Sequence, residues 1–420
     1  MRKRKSSYAL GSLLVAGAMA LGACDTSVTN PGPVQDEFLS NAEAHAAVVN
    51  GMGRNLAEAL NWIGYTGASV AREIHPAGST GSFGITVRWQ RGELGPTDED
   101  LNTHWNQAQQ ARWLAENGIA RMEESGATQE LLAQAYLWAG YANRLLGENM
   151  CQAVIDGGAP LESTEFLNRA EAAFGQAATL GSGDVKSAAL AGRASVRVHL
   201  GKWSEAVADA AQVPTGFNYH IPYFNTGEEA LLNRIQWSSA STPYRAHTQW
   251  NTAWEGYYLA TGDKRVGWME TDEEGDAAID CCGKVPWYPQ MKYPDPAADV
   301  RLSSGREMRL VEAEKKLMDG DWSGAMADIN AIRTAAGAPA ASAASATEAW
   351  AMLKRERGIE LWLEGRRLGD LRRWEANGTP GALDHLEEVN ADSHLTRQDL
   401  CFPIPPSEQD TNSNVPKATG

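Results

Sequence analysis

Three glutamates at four-residue spacing are the first residues of this chain that could do chemistry. Glu356, Glu360 and Glu364 lie in the stretch 355–374, and on one helix they would share a face. Paired carboxylates carry out glycoside hydrolysis in many enzymes. The stretch also holds six arginines, which would lower the pKa of these carboxyl groups, whereas a general acid needs a raised pKa. We therefore predict a structural segment without catalytic residues.

The charges of this segment are expected to form partly buried ion pairs. Arg357 and Glu364 share a predicted helix face with several leucines, and pairs three residues apart, such as Glu364 with Arg367, would separate the carboxylates. The predicted members of the ion-pair set are Glu356, Arg357, Glu360, Glu364, Arg367 and Asp370. The sequence also lacks a nucleophile elbow, a zinc-protease helix and a phosphate-binding glycine loop, so we expect the protein not to be an enzyme.

The cysteines are the second group with reactive side chains. Besides Cys24 the chain has Cys151, Cys281, Cys282 and Cys401. Adjacent cysteines seldom bridge each other, so one of the adjacent pair could reach Cys151 or Cys401, and buried free thiols are an open alternative. The spacing fits no zinc pattern and no histidine stands at ligand intervals. We predict no metal site and no cofactor.

The first 23 residues have the pattern of an export signal. A basic start is followed by an apolar run at 9–20 that is too short to span a bilayer. The ending "LGAC" resembles a bacterial lipobox, which implies cleavage before Cys24 and acylation of that residue; the alternative is an ordinary signal peptide with a chance cysteine. Asp25 directly follows Cys24, and in some bacteria an aspartate at this position retains a lipoprotein in the inner membrane. The signal alone therefore does not show which membrane holds the protein.

A repeated phrase indicates the scaffold that must position these residues. "GKWSEAVADA" at 201–210 returns as "GDWSGAMADI" at 320–329, with six of ten positions identical. Each copy follows a segment of helix formers, so the pattern predicts a helix, a glycine turn and a second helix, as in tetratricopeptide repeats. We predict such pairs at about 128–180, 184–213 and 305–335. The fold class is therefore mostly α, with long irregular loops.

Composition agrees with a folded, acidic protein. Hydrophobic residues make up 43% and charged residues 21%, and the formal net charge is −16. A negative surface disfavours phosphate backbones, so nucleic acid is excluded as a partner.

Two late segments carry a family signature. Residues 355–374 contain Glu-Arg at 356, Glu-Leu at 360, Glu-Gly at 364, Arg367, Asp-Leu at 370 and Arg-Trp at 373. Residues 400–415 contain Pro403, Ile404, Pro405 and Glu408. Together they resemble the SusD/RagB family of outer-membrane nutrient-uptake lipoproteins. "VTNPGPV" at 28–34 also resembles the start of many members, whereas "NSNV" near the end departs from their usual Asn-Pro-Asn.

The resemblance implies a fold, a location and a function. It implies residues 1–23 as signal peptide, 24–36 as a lipidated linker and 37–420 as one SusD-like helical domain with its signature at 355–415. It further implies a lipid-anchored protein on the outer face of the outer membrane that captures oligosaccharides or polymer fragments for a SusC-like TonB-dependent transporter. The alternative is a repeat-type lipoprotein adaptor that binds protein or peptide partners.

Ligand-binding loops in the family come mainly from the first third and from the insert before the last repeat. Residues 61–93 and 250–296 occupy these places and are rich in aromatic residues, whose flat faces suit sugar rings. The candidate ligand-binding residues are Trp62, Tyr65, Arg72, His75, Trp89, Trp268, Trp287 and Tyr288.

Overall fold

The computed structural model describes residues 36–242, 244–279 and 281–418, and most of them are helical. Fourteen α-helices occur in these ranges: α1 His45–Val70, α2 Val87–Gln90, α3 Leu101–Glu124, α4 Gln129–Asn149, α5 Thr164–Leu180, α6 Gly183–His199, α7 Trp203–Ala210, α8 Arg234–Ala240, α9 Ala253–Thr261, α10 Gly305–Met318, α11 Trp322–Ala335, α12 Ala346–Glu360, α13 Arg367–Ala376 and α14 Pro406–Thr411.

Strands are few and short in the described ranges. Three antiparallel two-stranded sheets pair β1 (His75–Pro76) with β5 (His247–Thr248), β2 (Gln152–Ala153) with β3 (Leu161–Glu162), and β4 (Asn218–Ile221) with β6 (Val300–Ser304). Short 3-10 helices lie at Asp36–Ser40, Ala42–Ala44, Thr80–Phe83, Glu229–Leu231, Lys264–Val266 and His385–Glu387. Two of the sheets join segments far apart in sequence, and β1 with β5 ties the first third of the chain to the residues just before the insert.

The helix pairs follow the repeated phrase. α6 and α7 pack together, as do α10 and α11, and α4 packs on α5. Gly201 (φ 71°) and Gly320 (φ 86°) make the turns within the first two pairs, a left-handed conformation that glycine adopts without steric cost. The prediction of a mostly helical fold with paired helices and irregular loops is confirmed.

Side-chain caps mark where several of these helices begin. The hydroxyl of Ser304 accepts a hydrogen bond from the amide of Glu307 at 3.1 Å, and Ser345 does the same for Glu348 at 3.2 Å. A Ser followed three residues later by Glu is the capping-box pattern, which satisfies amides that have no partner inside the helix. The described residues form two apolar cores, a large one and a smaller one between α10, α11 and α12.

The signature segment 355–374 is two helices and not the single helix expected from its spacing. α12 ends at Glu360, a turn follows in which Leu363 has φ 58°, and α13 begins at Arg367. The amide of Leu363 donates to the Glu73 carboxylate at 3.0 Å, so a tertiary contact stabilises the turn. Because the helix is interrupted, the predicted Glu364–Arg367 pair is wrong, and each residue pairs with a partner elsewhere in the chain.

The disulfides also differ from the expectation. Cys151 is bonded to Cys401, and Cys281 is bonded to its neighbour Cys282. The amide of Cys151 donates to the carbonyl of Phe402 at 2.9 Å, which brings the two segments alongside each other. The expected link between the adjacent pair and Cys151 or Cys401 is therefore wrong.

The predicted signal peptide, Cys24 and most of the linker at 24–36 lie outside the described residues. Within the described part of the chain, no helix combines the length and apolarity needed to cross a membrane.

Candidate functional site

The glutamates of the signature segment lie in the interior against cations from other elements. Glu356 contacts Arg333 at 2.9 Å, and Glu364 contacts Lys292 at 2.6 Å and Arg301 at 2.9 Å. The Glu364 side chain is 2% exposed. Buried charge is tolerated where partners of opposite charge compensate for lost hydration, so these pairs hold the last helices to the insert and to β6.

Glu360 lacks the electrostatic setting of a general acid. Its carboxylate lies 2.8 Å from Arg301 and 2.9 Å from Arg306. Burial alone would raise the pKa of Glu360, but Arg301, Arg306 and Arg265 outweigh it and lower the pKa below the ordinary glutamate value. A general acid needs the opposite shift.

The remaining members of the predicted ion-pair set are also paired. Arg357 binds Asp370 through two hydrogen bonds of 2.8 and 2.9 Å, and Arg367 contacts Glu387 at 2.7 Å. The Arg357–Asp370 contact has the bidentate geometry that gives arginine its strongest carboxylate pairing. It joins α12 to α13 across the interrupted helix.

Many of the aromatic residues predicted to bind ligand lie in the interior. Trp89 is 0% exposed and donates its indole N–H to Asp98 at 2.8 Å. Trp287 is 4% exposed and donates to the carbonyl of His247 at 3.1 Å, and the hydroxyl of Tyr65 is hydrogen-bonded to the His247 ring at 3.0 Å. Because these side chains are buried and internally bonded, a ligand at the surface would not touch them.

The other candidate ligand-binding residues of the first third also have packing partners. His75 in β1 and Arg72 just before it are both buried. Trp62 is partly exposed, but the Arg234 guanidinium lies 3.8 Å from its ring centroid, and Gly84 packs against one edge. Because these residues already pack against other side chains, the partly exposed aromatic residues of the insert are the better candidates for contact with a ligand.

Two of the predicted ligand-binding residues, Trp268 and Tyr288, lie together in the insert. Tyr258, which the sequence does not single out, lies beside them. The rings of Trp268 and Tyr288 are stacked, with centroids 4.6 Å apart and planes 16° apart, and Tyr258 meets Trp268 edge-on at 5.8 Å. We call Tyr258, Trp268 and Tyr288 the aromatic platform. Trp268 is buried beneath, whereas Tyr258 and Tyr288 are partly exposed.

Backbone contacts fix the position of the platform. The amide of Met269 donates to the carbonyl of Pro289 at 3.0 Å, and that of Met291 donates to Gly267 at 2.9 Å, so the two strand-like segments run antiparallel. The amide of Tyr288 donates to the Thr248 hydroxyl at 2.8 Å, which anchors it to β5. Met269 and Met291 are 51% and 56% exposed beside these contacts.

Carboxylates lie close to the platform. Partial burial raises the pKa of Tyr288, and the charges of Glu255 and Glu270 raise it further. The Tyr288 hydroxyl therefore stays protonated at neutral pH and can donate a hydrogen bond, while the two carboxylates can accept one.

A groove of about 680 Å³ runs along α9. Tyr257 in its wall donates its hydroxyl proton to Asp263 at 2.9 Å and accepts from Arg333 at 3.1 Å. Arg355 and Asp384, 3.8 Å apart, also line it and are 43% and 30% exposed. The groove thus combines apolar surface with donors and acceptors that water still reaches.

Sequence reasoning identified the insert but missed part of this surface. Tyr257 and Tyr258 were within the selected stretch, yet nothing in their spacing distinguished them from core residues. Arg355 and Asp384 gave no local signal because α12 and the 3-10 helix at His385–Glu387 bring them to the groove only in the folded chain.

Comparison with known proteins finds a family likeness in the C-terminal part of the chain. Residues 306–420 match the model of the SusD family. The resemblance to the SusD/RagB family is confirmed. No curated protein sequence matches the chain.

Solved structures extend the likeness to the whole SusD-like fold. A SusD superfamily protein from Bacteroides thetaiotaomicron has a TM-score of 0.67 at 15% identity, covering 89% of this chain and 99% of its own. A second SusD superfamily protein, from Bacteroides vulgatus, has a TM-score of 0.64 at 16% identity, and the match covers 89% of this chain and 98% of that protein. A SusD-like carbohydrate binding protein from Bacteroides vulgatus has a TM-score of 0.62 at 14% identity, and the match covers 90% of this chain and 97% of that protein.

Proposed function

We propose that this SusD-like protein binds glycans at the aromatic platform and the adjoining α9 groove, without cleaving them. The observation that carries the proposal is the stacked pair of Trp268 and Tyr288 with Tyr258 beside it, at a part of the insert where two of the three rings are partly exposed. The sugar-binding description of one similar structure supports the same ligand class.

The chemistry of the platform matches the two surfaces of a sugar. The apolar C–H face of a pyranose packs on a flat aromatic ring, and Tyr288 offers such a ring held rigidly by the stack on Trp268. The hydroxyl groups at the rim of the sugar need donors and acceptors, which Tyr288, Glu255 and Glu270 supply.

The size of the groove favours an oligosaccharide over a single sugar. Its volume of about 680 Å³ lies within the range of roughly 300 to 1,000 Å³ that is typical of small-molecule sites. Glu255 lines the groove and lies close enough to Tyr288 to raise its pKa, so we propose that a chain bound on the platform continues along α9 toward Arg355 and Asp384.

Capture and delivery are the cellular role that we propose for this binding. An acylated Cys24 would anchor the protein to the outer membrane, facing the exterior, where it would pass glycans to a SusC-like TonB-dependent transporter. The SusD fold, together with the lipobox-like sequence at 21–24, supports this role. The fully paired state of Glu360 supports a role in binding without hydrolysis.

A glycan-array screen on the full chain, followed by calorimetry on each hit and product analysis of each mixture, tests the function. We expect binding of at least one oligosaccharide class with the glycan recovered intact. Cleavage would overturn the assignment in favour of an enzyme, and silence across all glycans would overturn it in favour of a protein-binding adaptor.

A further inference from the structure

Two histidines and the adjacent cysteines meet at one point between three distant segments. His75 belongs to β1, Cys281 and Cys282 to a turn of the insert, and His394 to the loop before the C-terminal helix. One ligand atom from each of the four lies within 4.8 Å of the others. We call these four residues the His/Cys cluster.

His75 is oriented as a metal ligand would be. It is 0% exposed, and its Nδ1 lies 2.6 Å from the carbonyl oxygen of Pro76. Because a carbonyl oxygen can only accept, Nδ1 carries the proton and Nε2 keeps its lone pair. No group in the described ranges makes a hydrogen bond to that Nε2. Metal-binding histidines commonly donate from the other ring nitrogen to a carbonyl in this manner.

A buried cation beside the cluster points to a second state of the sulfurs. Arg72 is 1% exposed, and among the described residues its Nε and one terminal nitrogen have no hydrogen-bond partner. It shares a small cavity of about 20 Å³ with Cys281 and His394, large enough for one small ion or water. A disulfide is a poor hydrogen-bond acceptor for these Arg72 nitrogens, whereas thiolate sulfurs accept hydrogen bonds from a guanidinium also when they are bound to a metal.

We propose that the reduced His/Cys cluster is a zinc site, with His75, His394, Cys281 and Cys282 as its four ligands. Two thiolates and two imidazoles are a set that binds Zn²⁺ tetrahedrally at about 2.0 to 2.3 Å, which places the ligand atoms about 3.3 to 3.8 Å apart. Nε2 of His394 already lies 3.3 Å from Sγ of Cys282. The proposal does not depend on glycan binding.

The site forms in two balanced steps. A dithiol reductant gives two electrons and two protons to the Cys281–Cys282 disulfide and becomes a disulfide itself. The resulting two thiols then bind Zn²⁺ as thiolates and release two protons. The disulfide form has no thiolate and cannot bind the ion in this way, so occupancy requires reduction.

Cobalt titration of the full chain in mild detergent tests the proposal, because thiolate-bound Co²⁺ gives a sulfur-to-metal charge-transfer band. We expect no band before reduction, one equivalent of Co²⁺ bound after reduction under anaerobic conditions, and displacement by Zn²⁺. The double variant Cys281→Ser/Cys282→Ser keeps Cys151 and Cys401 and should lose the band. Cys281→Ser, at an exposed position, is the milder second variant and should bind at least tenfold more weakly.

Histidine variants test the other two ligands. His394→Asn introduces a residue that tolerates the φ of 61° at this position. It should weaken Co²⁺ binding at least tenfold. His385→Asn is the matched control, since His385 is 61% exposed and pairs with Asp392 outside the cluster. Absence of the band in the reduced chain, its survival in the double cysteine variant, or equal affinity of the two histidine variants would each overturn the proposal.

Discussion

The signature helices and the first-third segment around β1 both bury charge, but they treat it differently. In α12 and α13 the buried carboxylates Glu356, Glu360 and Asp370 all have arginine partners, as in the bidentate Arg357–Asp370 pair. Near β1, Arg72 makes one hydrogen bond of 3.2 Å, to the carbonyl of Asn251, and burial lowers its pKa to about 9. Buried polar groups without partners cost free energy. We infer that the signature maintains the fold, while the segment around β1 retains unsatisfied groups that a ligand or metal can use.

The largest expected effect comes from a first-third residue that the sequence assigned to the ligand. Trp89→Ala should destabilise the protein by about 4 kcal/mol, because it removes a fully buried indole and leaves a cavity. Urea unfolding would measure this loss. Trp113→Ala, at a tryptophan that is 49% exposed, is the control and should change stability little. A stable Trp89→Ala protein with lost glycan affinity would instead restore Trp89 to the binding site.

A charge deletion in the signature segment is expected to be almost as severe. Glu364→Ala leaves Lys292 and Arg301 without this counter-ion and should cost about 3 kcal/mol. Thermal unfolding would detect it. The exposed Glu375 of α13 provides the control variant Glu375→Ala, which should unfold like the parent. Equal melting temperatures for both variants would show that the buried pairs contribute nothing to stability.

The third prediction concerns pH and the residue that joins the two regions. Burial raises the pKa of Glu73 to about 7, although the Leu363 amide, Arg367 and Lys292 favour its carboxylate. The folded state thus holds this proton more tightly than the unfolded chain, so the contribution of Glu73 to stability falls as pH rises from about 4.5 through 7.

Glu73→Gln removes this titration and keeps an acceptor for the Leu363 amide. It should stabilise the protein at pH 8 by on the order of 3 kcal/mol, and the gain should vanish near pH 4.5. Unfolding curves across this pH range would show the trend, with Glu375→Gln as a flat reference. A gain that is constant with pH would contradict the assigned pKa.

The difference between the regions also decides what could be predicted from sequence. The glycine turns at 201 and 320 and the helices on either side follow local rules, so the local sequence suffices to predict that one helix ends at each glycine and another begins after it. The interruption after Glu360 was not predicted, because it depends on a hydrogen bond between Leu363 and Glu73. Local periodicity carries no information on a partner 290 residues away.

The same limit applies to the candidate sites. Trp268 and Tyr288 were selected for their type, but their stack depends on the antiparallel pairing of two segments within the insert. His75 and His394 stand far from the cysteines in sequence, so the expectation of no metal site followed from spacing alone. Aromatic composition could not separate the buried Trp89 from the partly exposed Tyr288, because burial is set by the elements packed around each ring.

Calorimetric titration of one array-selected glycan into the parent chain, Tyr288→Ala and Trp113→Ala tests the central claim most directly. Tyr288 and Trp113 are both aromatic residues with solvent access, but Trp113 borders a separate shallow depression on α3. The account predicts at least a tenfold loss of affinity, about 1.4 kcal/mol, for Tyr288→Ala, with the glycan intact and Trp113→Ala unchanged. Unaltered affinity in Tyr288→Ala, or a loss confined to Trp113→Ala, would contradict it.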